Sequence, residues 1–106
     1  MPGAIVFALS VLGAASQTGS VKVVASKDGF RPSQITIRKG EAIRLVLSTA
    51  DDEHCFALDA LRIEKRLVPG KTVNVDIGLE KVGSFPFHCC LEQGPDAIHG
   101  EIRVTE

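Results

Sequence analysis

The feature that most constrains this chain is a two-residue alternation of apolar and polar side chains, broken by Gly or Pro about every eight to twelve positions. Successive side chains of an extended strand point to opposite faces, so this period buries one face of each strand and wets the other. Helical periodicity is absent, and the pattern predicts an all-β sandwich of two packed sheets. Val21–Ala25 opens the first strand, Asp28-Gly29 turns it, and Gln34–Arg38 forms the second with Ile35 and Ile37 inward. Ala42–Ser48 follows the Lys39-Gly40 turn with Ile43, Leu45 and Leu47 on one face. Glu53–Leu58 then places His54, Phe56 and Leu58 together on the apolar side. Leu61–Arg66 is short and charged, which suits a sheet edge or an exposed segment. Thr72–Ile77, a strand from Gly83 with Phe85, Phe87 and Cys89 inward, and Glu101–Thr105 complete about seven or eight strands. Pro86 has no N–H to donate, so its strand must be exposed or bulged there.

The sequence has 106 residues, enough for one domain. Ala4–Ala15 is an apolar run of signal-peptide length followed by small and polar residues, so residues 1–16 read as a cleaved secretory signal and 17–106 as the domain. The run is too short for a membrane-spanning helix, and the mature form is expected to have no stable membrane span. No Lys or Arg precedes it, which keeps a mis-assigned start or an ordered N-terminal strand open as alternatives. The reading places the protein in the periplasm or outside the cell.

Net charge is −1 with the signs interspersed, so no basic stripe exists to track phosphates and nucleic acid is excluded as a partner. Three cysteines cannot all pair within one chain, so one thiol is free, metal-bound or intermolecular. Two inward residues near strand ends, His54 and Cys89, offer an imidazole and a thiolate, donors that suit copper or zinc. The plainer reading of His54 is a partly buried ring satisfied by a backbone carbonyl. Cys55 lies on the face opposite His54, where a Cys55–Cys90 disulfide is one pairing open to it; that bond would leave Cys89 as the free thiol. His88 faces away from Cys89 and reads as a surface residue, and Asp51-Asp52-Glu53 reads as a solvated turn. A Cys89–His88 nucleophile and base would point apart, with no orienting acid or oxyanion turn in view, so the chain is not expected to be an enzyme.

Phe30-Arg31-Pro32, Ile35–Glu41, His54-Cys55-Phe56, Pro69–Val73, Gly83–Cys89 and Gly100–Val104 follow one another in an order that resembles the cupredoxin family over residues 21–106. The likeness is greatest to the small periplasmic branch that includes the cupredoxin-like domain of EfeO-type iron-uptake proteins and the copper domain of cytochrome oxidase subunit II. It implies a Greek-key sandwich and a copper ion held by an early His, a Cys ending the penultimate strand, and a His and a Met from the next loop. The early His falls on His54 and the Cys on Cys89. In the loop Cys89–Gly100, however, Gly94 stands at the His position and Ile98 at the Met position, and neither side chain ligates a metal. Counting from Cys90 instead puts Gln93 at the His position. The adjacent Cys89 and Cys90 also do not match the spacing of a binuclear centre.

These departures predict a non-standard site of His54, Cys89 and His99, with Cys90 and Glu92 as further candidates, holding copper or, as second choice, zinc. The expected function is copper handling or single-electron transfer alongside a redox or copper-trafficking protein. The alternative is a sandwich that has lost its metal and serves as a structural or interaction module.

Overall fold

The computed structural model describes residues 19–92, 94 and 97–106. The N-terminal signal segment predicted at 1–16 and Gln93 lie outside the described residues. Nine strands are present among those described: β1 (Gly19–Ser26), β2 (Gly29–Arg31), β3 (Gln34–Arg38), β4 (Ala42–Thr49), β5 (His54–Leu58), β6 (Ile63–Leu67), β7 (Val73–Gly78), β8 (Gly83–His88) and β9 (His99–Thr105). One sheet has the order β2-β1-β4-β7 and the other β3-β9-β8-β5-β6. Each sheet contains one parallel pair, β1 with β4 and β3 with β9, which requires the chain to cross between sheets rather than run as a simple meander.

The expected alternation is carried out strand by strand. Ile43, Leu45 and Leu47 of β4 are buried while Ala42 and Arg44 are exposed, and β9 buries Ile102 and Val104 while Arg103 and Thr105 are exposed. The count exceeds the expected seven or eight because the Asp28-Gly29 turn is followed by a short return strand, β2, pairing Phe30 with Ala25. Three residues carry too little periodicity to be read as a strand in isolation. The charged segment after residue 61 forms β6 at the edge of its sheet, where Glu64, Lys65 and Arg66 face solvent. A 3-10 turn at Asp59–Leu61, ending on Arg62 in a left-handed conformation, folds β6 back against β5.

Between the sheets the core centres on Phe30, Phe56 and Phe87, whose ring centroids lie 4.9 to 6.0 Å apart. These rings lie in the layer that also receives His54 and Cys89, so the same packing that stabilises the sandwich fixes the strands carrying both residues. Gly100 is required by this packing, because a Cβ there would overlap the Phe87 ring and the Ser33 carbonyl. Pro86 is tolerated for the reason expected: among the described residues the β5–β8 pairing is Ala57 with His88, beyond the proline, so its missing donor breaks no ladder to β5. Among the described residues no helix is long and apolar enough to cross a membrane.

Candidate metal centre

All five residues of β5 are buried, which one-sided alternation does not predict. β5 lies between β6 and β8, and its outward Cys55 is covered by a disulfide to Cys90, 35 positions away, with Cα atoms 5.2 Å apart. The register explains the pairing. Ala57 is opposite His88, and continuing that antiparallel register brings Phe56 across from Cys89 and Cys55 across from Cys90. Directly opposed residues share a face. His54, Phe56 and Cys89 therefore belong to the inner face at this end of the sandwich, and Cys55 and Cys90 to the outer face.

On the inner face, one ligand atom each from His54, Cys89 and Glu92 falls within 4.8 Å of the other two. His54 opens β5 and is 5% exposed, and Cys89, immediately after β8, is a fully buried free thiol. Glu92 reaches the group from the following loop. The Cys89 N–H donates to the Ile98 carbonyl at 3.1 Å and closes the loop at its base. The Glu92 N–H donates to the Cys89 carbonyl at 3.3 Å, and Glu92 Oε1 accepts from the Ile98 N–H at 3.1 Å. This tight turn aims the Glu92 carboxylate back toward the thiol.

The orientation of His54 is set by Asp51, whose Oδ1 lies 2.8 Å from His54 Nε2. A carboxylate can only accept, so in the neutral ring Nε2 carries the proton and Nδ1 keeps a free lone pair for a metal. Asp51 is itself fixed by the Lys27 N–H on Oδ2 at 2.9 Å and the Asp52 N–H on Oδ1 at 2.6 Å. Chiefly the Lys27 hydrogen bond, then that of His54, pull the Asp51 carboxyl down to about 2. The stretch read as a solvated turn thus holds the residue that positions the histidine, and the plainer reading of His54 is corrected in its partner: a carboxylate, not a backbone carbonyl. An Asp three positions before a buried His was the available signal.

Of the residues expected in the site, the structure brings together His54, Cys89 and Glu92 and leaves out His99 and Cys90. His99 begins β9 opposite His88 and takes the exposed side, because alternation assigns the inward side to Gly100 and Ile102. Its Nδ1 donates to the Ala97 carbonyl at 3.2 Å. The sulfur of Cys90 is committed to Cys55. Gly94, at the family's His position, has φ 89°, a left-handed conformation that a histidine would adopt only with strain. Ile98, at the Met position, is buried among apolar neighbours. Among the described residues of the loop, Glu92 is the one whose donor atom joins those of His54 and Cys89.

The family profile for the cupredoxin-like domain matches residues 1–104. A search by sequence finds no match among curated proteins. Among solved structures, the chain resembles the periplasmic domain of subunit II of cytochrome oxidase, CoxB, of Bradyrhizobium japonicum, with a TM-score of 0.72 and 19% identity over 82% of this chain and 83% of that one. It also resembles the metal-binding domain of the Streptococcus pneumoniae D39 Cu(I)-exporting P-type ATPase CopA, solved with Cu(I), with a TM-score of 0.71 and 17% identity over 82% and 85% of the two chains. A third likeness is to reduced auracyanin from Roseiflexus castenholzii, with a TM-score of 0.65 and 11% identity over 84% and 98%. At these identities the structures speak to the fold; joined to the profile match over nearly the whole length, they establish that this chain belongs to the family of cupredoxin-like domains.

Proposed function

We propose that this cupredoxin-like domain is an exported copper-handling protein that holds one copper ion on His54 Nδ1, Cys89 Sγ and a Glu92 carboxylate oxygen. The observation that carries the reading is the convergence of one donor atom from each of these three residues within 4.8 Å at one end of the core. The donor set fits the metal: thiolate and imidazole suit copper, and a carboxylate completes a shell that would also accept zinc. Bound copper would supply a one-electron couple and a soft partner for the thiolate.

The protein's own residues do the rest. Burial of Cys89 shields the thiol from oxidants, the Asp51 carboxylate holds the His54 ring in a ligating tautomer, and the Ile98 N–H orients Glu92. Glu92 is the least enclosed of the three donors, so the site opens toward solvent on the loop side, where a copper-trafficking or redox partner would exchange metal or electrons. A carboxylate in place of a thioether favours copper transfer over the electron-transfer site that the family's Met would complete. The Cys55–Cys90 disulfide and the periplasmic domain of CoxB support an oxidising, extracytoplasmic location.

The reading is tested by titrating the disulfide-bonded protein with Cu(I) and Cu(II) while recording absorption. One equivalent bound tightly and lost in Cys89→Ser is expected. Failure to bind either ion would favour the structural module, a reading to which Gly94 and Ile98 lend weight.

A further inference from the structure

Behind the first group lies a second, on the other face of the same two strand ends. One ligand atom each from Cys55, Glu64 and Cys90 falls within 4.8 Å of the other two. In the register of β5 with β6, Glu64 stands across from Ala57 and Arg66 across from Cys55, so Glu64 and Cys55 share the outer face. Cys55 is buried, Cys90 half-buried and Glu64 exposed, giving a pocket of donors closed at Cys55 and open at Glu64. Nothing in the function proposed above uses Glu64, and the first site does not depend on it.

We propose that the Cys55–Cys90 pair, once reduced, forms with Glu64 a second metal site for a thiophilic d10 cation, zinc or Cu(I). The disulfide is then the closed form of the site. A dithiol reductant attacks the half-buried Cys90 sulfur, forming a mixed disulfide at Cys90 and releasing the Cys55 thiol. The reductant's second thiol then resolves the mixed disulfide. Two electrons and two protons pass to the protein, and the reductant leaves as its own disulfide. The cation next displaces the two thiol protons and takes both sulfurs, with the Glu64 carboxylate as third donor. Because Cys55 and Cys90 each follow a ligand of the first site in sequence, the two sites lie back to back across one layer of backbone. Reduction doubles the metal capacity of this end of the sandwich without requiring either strand to change partners.

The test counts zinc ions bound to the purified protein by native mass spectrometry, which also distinguishes disulfide from dithiol. Reduction uses a water-soluble phosphine, which takes its oxygen from water as it becomes the oxide and is removed before zinc is added. The disulfide form should bind one zinc and the dithiol form two. Reduced Cys89→Ser should retain one, and this separates the proposal from the reading of the first site: if the disulfide form binds none but reduced Cys89→Ser binds one, only the first reading falls. Glu64→Gln, which leaves both cysteines in place, should weaken the second site by about tenfold or more, since even partners that only orient ligands cost 10–100-fold. A dithiol form that binds no more zinc than the disulfide form overturns the proposal. So does a second zinc that survives in a folded variant carrying both Cys55→Ser and Cys90→Ser.

Discussion

Asp51 Oδ1 accepts a hydrogen bond from His54 Nε2 at 2.8 Å, and this contact leaves Nδ1 as the ring nitrogen with a free lone pair. The aspartate is held from the other side by the Lys27 N–H of the turn between β1 and β2. A connection in one sheet thereby orients a candidate ligand that begins a strand of the other.

Removing that orienting group should weaken copper binding while leaving the fold intact. Asp51→Ala is expected to lower copper affinity by about 10–100-fold, the usual cost of losing a group that orients a ligating histidine. Competition against a chromogenic chelator measures the affinity, and circular dichroism checks the fold.

The same contact predicts a pH dependence. The Asp51 carboxyl titrates at about 2 in the folded protein against an ordinary 3.8. A depressed folded value stabilises the ionised form, so its contribution is fully present above about pH 4 and fades as pH falls toward 2. The melting temperature of the parent should exceed that of Asp51→Asn at neutral pH, and the gap should shrink through this window. A gap that stays constant down to pH 2 would contradict the assignment.

How much of this could be read in advance follows from the kind of signal each part leaves. Period-two alternation located β3, β4, β7 and β9 because each buries alternate side chains against the opposing sheet. It missed β2, which is too short to show a period, and it located β5 without foretelling that the strand's outer face is buried as well, under a partner 35 residues away. His54 and Cys89 were legible because inward polar residues stand out in apolar strands. Glu92 was only a lesser candidate and His99 a leading one, since loop ligands depend on turn geometry rather than on period. There the Glu92–Ile98 hydrogen bond and the start of β9 bring the carboxylate, and not the His99 ring, beside His54 and Cys89. Asp51 was hidden among three consecutive acids of ordinary turn composition.

The aromatic cluster should dominate stability. Phe87 is fully buried between Phe30 and Phe56, at centroid distances of 5.1 and 4.9 Å. Phe87→Ala should cost about 3–5 kcal/mol in urea unfolding, the range for deleting a core aromatic. Loss of less than ~1 kcal/mol would mean that the rings do not form the centre of the core.

The disulfide should act on stability more than on the inner-face site. Replacing both Cys55 and Cys90 by Ser is expected to destabilise by about 2–4 kcal/mol, because the bond closes a long loop. Copper binding at His54, Cys89 and Glu92 should persist, since those donors lie on the other face. Paired denaturant and copper titrations check both halves.

The most direct test of the metal centre is copper K-edge X-ray absorption on the disulfide-bonded protein loaded with one equivalent of Cu(I). A single sulfur scatterer, from Cys89, is expected together with nitrogen and oxygen donors, and that sulfur should be lost in Cys89→Ser. A spectrum with no sulfur, or with two, would contradict the assignment of His54, Cys89 and Glu92 as the copper ligands.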